Sequence, residues 1–345
     1  MGRQVTYDDL AKHTGFSKTT ISRFFNRPET VTPENQERIR TAMLALGYRE
    51  NKVAKILAKG KTEFVGVLVP NLHLHYFSEM LNQILLTYEE FGYKFLVFVG
   101  NENEEVEKQY LEELMSYQIE GLIVMSHTLP SRELAQLPFP IVSIEREDEY
   151  ISSVNCDNYM GAVQATSLLA KRGCEVLIHI NSPTPRSVPA YQRLQGFSDF
   201  CVEHGLKHEI IVEDLGVQHA TIAPGIATIV EQLEQKYPLQ RKGIFLSDDT
   251  RANEFLNCLI RKYGTMPDSY RIIGFDNSPI AESAVLPIST VGQQIDLIAH
   301  EAVRLLVQQI TQRKQKDPQE PLPVIHKVIT PVLFQRSTTE LSDFR

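Results

Sequence analysis

"SKTTISRFFN", residues 17–26, sets Lys18 and Arg23 among small hydroxyl side chains on a segment with helical spacing. Ile21, Phe24 and Phe25 recur on one side and suit a small core. That leaves Ser17, Lys18, Thr19, Thr20, Ser22, Arg23 and Asn26 on the other. Such a face offers guanidinium and ammonium donors for guanine O6 and N7, and short hydroxyls for phosphates or base edges. The chain is acidic overall, with a net charge of −8, yet residues 1–62 carry 12 Lys and Arg against 6 Asp and Glu. A small basic module joined to a large acidic one points to a polyanion as the module's partner. A merely solvated basic face would show the same charge, so the flanking residues have to decide.

They do so by punctuation. Upstream, Thr6 with Asp9 three residues later has capping-box spacing, and Leu10 and Ala11 follow as apolar contacts. Gly15 breaks that helix, and Ser17 is placed to cap the next. Downstream, Thr32-Pro33 reads as a hydroxyl cap with proline in the first turn. Ile39, Met43, Leu44 and Leu46 continue at helical spacing to Gly47. Helix, tight turn, helix and supporting helix is the helix-turn-helix order, whose second helix enters the major groove.

The totals bound the rest. At 345 residues and 42% hydrophobic content, the chain suits more than one globular domain. The polar N-terminus does not read as a signal peptide, and no apolar run reaches the roughly 20 residues of a bilayer span. Cys156, Cys174, Cys201 and Cys258 lack C-x-x-C spacing and fit buried thiols in a reducing, cytoplasmic setting.

"VTYDDLAKHTGFSKTTISRFFNRPETVTPENQERIRTAMLALGY", residues 5–48, resembles the DNA-binding headpiece of the LacI/GalR family of bacterial transcription regulators. The V-T-x-x-D-[LV]-A, S-x-x-T-[IV]-S-R and closing G-Y elements occur in order. The resemblance implies a homodimer on a palindromic operator. Lys18, Thr19 and Arg23 would read bases, and Thr6, Ser17, Thr20, Asn26, Thr32 and Tyr48 would position phosphates. Residues 49–61 would form a hinge, with Asn51 at its start. Leu57, beside Ala58, would wedge into the minor groove. Tyr48-Arg49-Glu50-Asn51 departs from the family's usual Pro before that Asn.

From residue 62 onward, β-branched apolar runs alternate with amphipathic helices. "FVGVLVP", "KFLVFVG", "GLIVMS", "IVSIE", "SVNCD", "VLIHINS", "GIFLSDD" and "RIIGFD" read as strands. Helical patterns fall at 76–91, 104–117, 158–172, 189–204, 223–236, 250–263 and 293–313. This is an α/β pattern with parallel sheets and ligands at the strand C-termini. The resemblance implies a periplasmic-binding-protein-like core of two doubly wound lobes. Lobe one is expected at about 62–160 and 292–325, lobe two at about 161–291 and 326–345.

The strand ends carry the candidates for a sugar-like effector. Tyr76 and Phe77 could stack on a sugar face, and Arg146 follows the "PIVSIE" strand in an I-D-R-like context. Arg193 stands in "RLQGF", like the family's R-x-x-G-[FW], and Asp276 closes "GFD". Ser247 and Asp248 end another strand. Arg forks and carboxylates converging at strand ends suit ring hydroxyls. Asp157 and Asp248 would serve equally as helix caps, and Phe77 as core. No nucleotide-binding or nucleophile-elbow motif occurs, and no cofactor or enzymatic activity is expected. His73 and His75 are two apart with no third ligand nearby, so no metal is expected either. No leucine heptads follow "ITPVLFQRSTT", which favours a dimer over a tetramer. Alternatives are a regulator controlled by a protein co-repressor or a nucleobase, a sugar-binding module that does not bind DNA, and an α/β enzyme.

Overall fold

The computed structural model describes residues 5–48, 62–315 and 321–340. By its contacts the chain separates into the units Met1–Lys61 and Thr62–Arg345. In the first, α1 (Tyr7–Thr14), α2 (Lys18–Asn26) and α3 (Pro33–Leu46) surround a core of Leu10, Ile21, Ile39 and Ala42. Gly15 ends α1 at φ 76°, a left-handed turn that a side chain would strain. At the end of α3, Tyr48 N–H donates to Met43 O and Gly47 N–H to Leu44 O, a Schellman closure. Leu44, counted with the core positions above, points to solvent at 85% exposure instead.

The second unit runs in chain order through β1 (Phe64–Val69), α4 (His75–Leu86), α5 (Tyr88–Phe91), β2 (Lys94–Val99), α6 (Glu104–Ser116), β3 (Gly121–Val124), α7 (Ser131–Leu134), β4 (Ile141–Ile144) and β5 (Ser152–Cys156). There follow α8 (Asn158–Lys171), β6 (Val176–Asn181), α9 (Gln192–Glu203), β7 (His208–Val212), α10 (His219–Lys236), β8 (Lys242–Leu246), α11 (Asp249–Tyr263), β9 (Tyr270–Asp276), α12 (Pro279–Ser283), β10 (Ser289–Gly292), α13 (Ile295–Gln315), β11 (His326–Ile329) and β12 (Val332–Phe334). The described strands make two six-stranded sheets, ordered β11-β5-β4-β3-β1-β2 and β12-β10-β9-β8-β6-β7. Every pairing is parallel except β10 with β12. Helices cover both faces, so the inner strands are buried throughout and read as continuous apolar runs.

The chain passes between the sheets three times: after β5, between β10 and α13, and between β11 and β12. Because β11 joins the first sheet through residue 329, the last passage falls beyond the boundary at 325 read from the sequence. The three passages are bonded to one another. Asp157 N–H donates to Ile329 O at 3.0 Å, and Gln294 Nε2 to Thr330 O at 2.6 Å. These bonds fix a hinge axis at the strand C-termini, where the two lobes face each other.

Candidate nucleic-acid interface and interlobe site

In the helix-turn-helix unit the caps consume part of the polar inventory. Thr6 Oγ1 accepts from Asp9 N–H and itself donates to Asp9 Oδ2 at 2.8 Å. Ser17 Oγ accepts Thr20 N–H at 3.1 Å and lies 3.0 Å from Thr20 Oγ1. Thr32 Oγ1 caps α3 through Asn35 N–H. These hydroxyls therefore set helix direction first. The outward side of α2 and its end is a shallow depression lined by Lys18, Thr19, Ser22, Arg23, Asn26 and Arg27. Lys18 Nζ lies 2.5 Å from Asp8 Oδ1, an exposed pair that a phosphate can outcompete. Asn26 Nδ2 donates to Ser22 O at 2.9 Å, which orients it across the same face. Arg27 is a cation of this surface that the sequence reading passed over because it lies past the apolar pattern. Tyr48 packs its ring 5.5 Å from Phe25 and 6.1 Å from Tyr7, closing the core. Asn51, Leu57 and Ala58 lie outside the described residues.

Between the lobes, a chain of hydrogen bonds crosses from one sheet to the other. Glu145, at the end of β4 with φ 58°, accepts Cys156 N–H and, at 2.9 Å, Asn158 Nδ2. Asn158 Oδ1 accepts Arg193 Nε at 2.7 Å, and Arg193 Nη1 donates to Ser247 O at 2.6 Å. The guanidinium also lies 3.8 Å above the Phe275 ring, a cation–π contact in a buried setting. Asp276, at the end of β9 with φ 108°, accepts Gln293 Nε2 at 2.6 Å. Burial pushes its carboxyl up, Arg193 opposes that, and the charges of Asp249 and Asp248 add to it. Tyr76 stands in the first turn of α4, and its buried hydroxyl has no partner among the described residues. Burial, with the Glu145 and Asp276 carboxylates nearby, holds that hydroxyl well above the ordinary tyrosine range. Phe77 meets Tyr76 edge-on at 5.3 Å and packs against the core.

Tyr76, Arg193, Ser247 and Asp276 thus converge, whereas two other candidates are committed elsewhere. Arg146 turns into lobe one and donates to Leu129 O, Ser131 Oγ and Ser126 O at 2.7–3.0 Å. The left-handed backbone at Glu145 sends neighbouring side chains in different directions, so Glu145 faces the cleft and Arg146 does not. Asp248 caps α11 through Arg251 N–H at 2.8 Å and pairs with the Arg251 guanidinium. Burial pushes its carboxyl up, but Arg251 outweighs that and holds it below the usual range. Asp157 caps α8 through Met160 N–H. Asn158 and Gln293 are site residues that the sequence did not single out, and Glu145 reads there only as the strand end beside Arg146. Glu145 carried a signal in the I-D-R context, and the other two carried none. A separate groove lined by Pro183, Tyr191, Ile210 and Val212 lies at the outer edge of lobe two and holds none of these groups.

A helix-turn-helix unit followed in the chain by two α/β lobes, with buried polar side chains meeting where their strand ends face, is the arrangement of ligand-responsive DNA-binding regulators. Its residues 6–51 match the model of bacterial regulatory proteins of the lacI family. Residues 62–238 match that of periplasmic binding proteins and the sugar-binding domain of the LacI family, and residues 166–339 a periplasmic binding protein-like domain. The chain belongs to the LacI family of bacterial regulators. It is 29% identical over 336 residues to a ribose operon repressor of Halalkalibacterium halodurans, covering 97% of each chain. Among solved structures, a periplasmic binding protein/LacI transcriptional regulator from Alkaliphilus metalliredigens in complex with D-xylulofuranose is 26% identical. Its TM-score is 0.69, over 81% of this chain and all of that one. The lac repressor dimer bound to operator, at 20% identity, shares the fold with a TM-score of 0.79 over 98% of this chain and 99% of its own. Among the described residues no helix is long and apolar enough to cross a membrane.

Proposed function

We infer that the protein is a repressor of sugar-utilisation genes whose operator affinity is set by a sugar held between the lobes. The carrying observation is the relay Glu145–Asn158–Arg193–Ser247, which joins the two lobes through buried side chains at the cleft. A ligand that closes the cleft on this relay changes lobe one against lobe two and gains differential affinity for one arrangement. The ribose operon repressor and the D-xylulofuranose complex support a sugar as the effector class. Lys18, Thr19 and Arg23 read bases, with Arg27 adding a phosphate contact. Ser17, Thr20, Asn26, Thr32, Tyr48 and Thr6 hold the headpiece on the backbone. Residues 49–61 act as the hinge, and Leu57 and Ala58 enter the minor groove from two copies of the chain on a palindrome. The protein works in the cytoplasm as a homodimer and catalyses no reaction.

The test starts by selecting a DNA site from a random pool with the full chain and measuring its affinity by anisotropy at several salt concentrations. The expected result is a palindromic site, a steep salt slope, and an affinity that changes when D-ribose or D-xylulose is added. A flat salt slope with no enriched sequence would sink the DNA-binding reading.

A further inference from the structure

We propose that lobe one carries a second ligand site, at the end opposite the cleft, that takes a small carboxylate with an apolar, ring-sized body. The site does not depend on a sugar being the effector and uses none of the cleft residues.

It is a pocket of about 370 Å³ where β3 and β4 begin and α6 and α13 end. Its apolar wall is Met115, Ile119, Pro138, Phe139, Pro140 and Ile310. Neighbouring side chains already bury Ile310, Ile119 and Phe139, which fixes the shape of the wall before anything binds. Met115, 37% exposed near the end of α6, is the adaptable part of the rim. Volume and lining suit a small-molecule site, mostly apolar with a few polar groups that set orientation.

Those polar groups are Arg313 and Lys314 in the last turn of α13, and Glu120 just before β3. They are not equivalent. The Glu120 side chain, 10% exposed, accepts Glu63 N–H at 3.0 Å and Tyr93 Oη at 3.4 Å, and pairs with the Lys314 ammonium. Glu120 and Lys314 thereby neutralise each other. Arg313 is half-buried, and its guanidinium has no hydrogen-bond or ion-pair partner among the described residues. The C-terminus of α13 offsets only part of its charge. An uncompensated planar fork is thus left at the mouth of an apolar recess.

A carboxylate answers that fork with two parallel charge-assisted bonds, while its body takes the apolar wall out of water. With two cations set against one carboxylate, a single added negative charge balances the cluster. A neutral molecule of the same shape would gain the apolar contact and leave the fork to water. The pocket also shares its wall with the start of the core: Thr62 Oγ1 donates to Gln118 O at 2.7 Å, and Glu63 N–H to Glu120. An occupant therefore lies against the groups that hold the first two residues of the core.

The test is calorimetric titration of the full chain with benzoate, phenylacetate and cyclohexanecarboxylate, each against its amide. At least one acid is expected to bind, and its amide at least about tenfold more weakly. Arg313→Gln is expected to erase that gap. Met115→Glu, at an exposed position, is expected to weaken the acid more than the amide. Asp276→Asn, in the cleft, is expected to leave the affinity of the acid as it is. The proposal is overturned if no acid binds, if the amides bind as tightly as their acids, or if Arg313→Gln and Met115→Glu both bind acid like the wild type. Loss of acid binding in Asp276→Asn alone would overturn it too, by placing the acid in the cleft.

Discussion

His75 and Thr250 stand 175 residues apart and meet across the cleft: the imidazole Nδ1 lies 3.0 Å from Thr250 Oγ1, which also accepts the His75 backbone N–H at 3.3 Å. His75 opens α4 in lobe one and Thr250 lies in the first turn of α11 in lobe two. One hydroxyl thus holds two atoms of the opposite lobe.

Replacing Thr250 by Val keeps the shape and removes both bonds. A neutral hydrogen bond contributes about 1 kcal/mol net, so effector affinity is expected to fall about fivefold to thirtyfold. Operator affinity without effector stays unchanged. Titrating sugar against the operator complex checks this, and an unchanged midpoint would show that the contact does not differ between open and closed forms.

How much of this could be read from the sequence depended on what kind of burial held each element. β1, β6, β8 and β9 are covered on both faces, and their unbroken apolar runs named them. β7 was missed because it is an edge strand with a half-exposed, alternating pattern. β10 was missed because its Ser289 and Thr290 are polar. Ser289 N–H donates to Thr338 Oγ1, its hydroxyl bonds Thr339 Oγ1, and Thr290 Oγ1 donates to Asp249 Oδ1, so these polar residues are satisfied in the interior by partners far away in the chain. The helix read from 223 begins at His219, since Pro224 is accommodated inside it instead of starting it. In the cleft, Arg193 and Asp276 were legible from their motifs. The roles of Glu145 and Arg146 depended on one left-handed residue, which the sequence does not mark.

Arg193 gives the second prediction. Lys in its place keeps a positive charge but loses the fork that spans Asn158 and Ser247 O. Each charge-assisted bond is worth about 1.5–3 kcal/mol, so effector affinity should fall by about a hundredfold or more. The chain should still bind operator, but sugar should no longer alter that binding. Full sugar response in Arg193→Lys would remove the relay from the switching mechanism.

Arg146 serves as the internal contrast. Arg146→Leu strips donors from Ser126 O and Leu129 O in the interior of lobe one. The cost is expected in stability, about 2–4 kcal/mol, with sugar preference and operator sequence unchanged. Thermal melts with and without ligand would separate the two effects. A change in sugar preference would put Arg146 back in the cleft.

His179 is fully buried on β6, stacked on Phe245 at 4.3 Å and bonded through Nδ1 to Phe245 O at 3.0 Å. Burial lowers its pKa from 6.5 to about 3, only partly offset by that bond. The folded value is depressed, so the unfolded chain takes up the proton first. The stabilisation is therefore full above about pH 6.5 and declines as pH falls toward 3, by about 1.4 kcal/mol per unit. The measurement is the difference in unfolding free energy between the wild type and His179→Phe from pH 7.5 to 5. That difference should narrow on acidification, and a parallel pair of curves would mean that His179 titrates normally.

Among its described residues the helix-turn-helix unit buries five apolar side chains, Leu10, Ile21, Val31, Ile39 and Ala42, so it has little reserve. Ile21 is 0% exposed and lies on the inner side of the helix whose outer side carries Lys18, Thr19 and Arg23. Cutting it to Ala costs about 2–4 kcal/mol, enough to unfold a core of this size. Residues from 62 onward keep their own cores, which share no residue with the headpiece cluster. Ile21→Ala should therefore abolish operator binding, while the main calorimetric transition and its shift with bound sugar are unchanged. Were the main transition to fall with it, the two units would be folding as one, and operator loss could no longer be ascribed to the recognition helix alone.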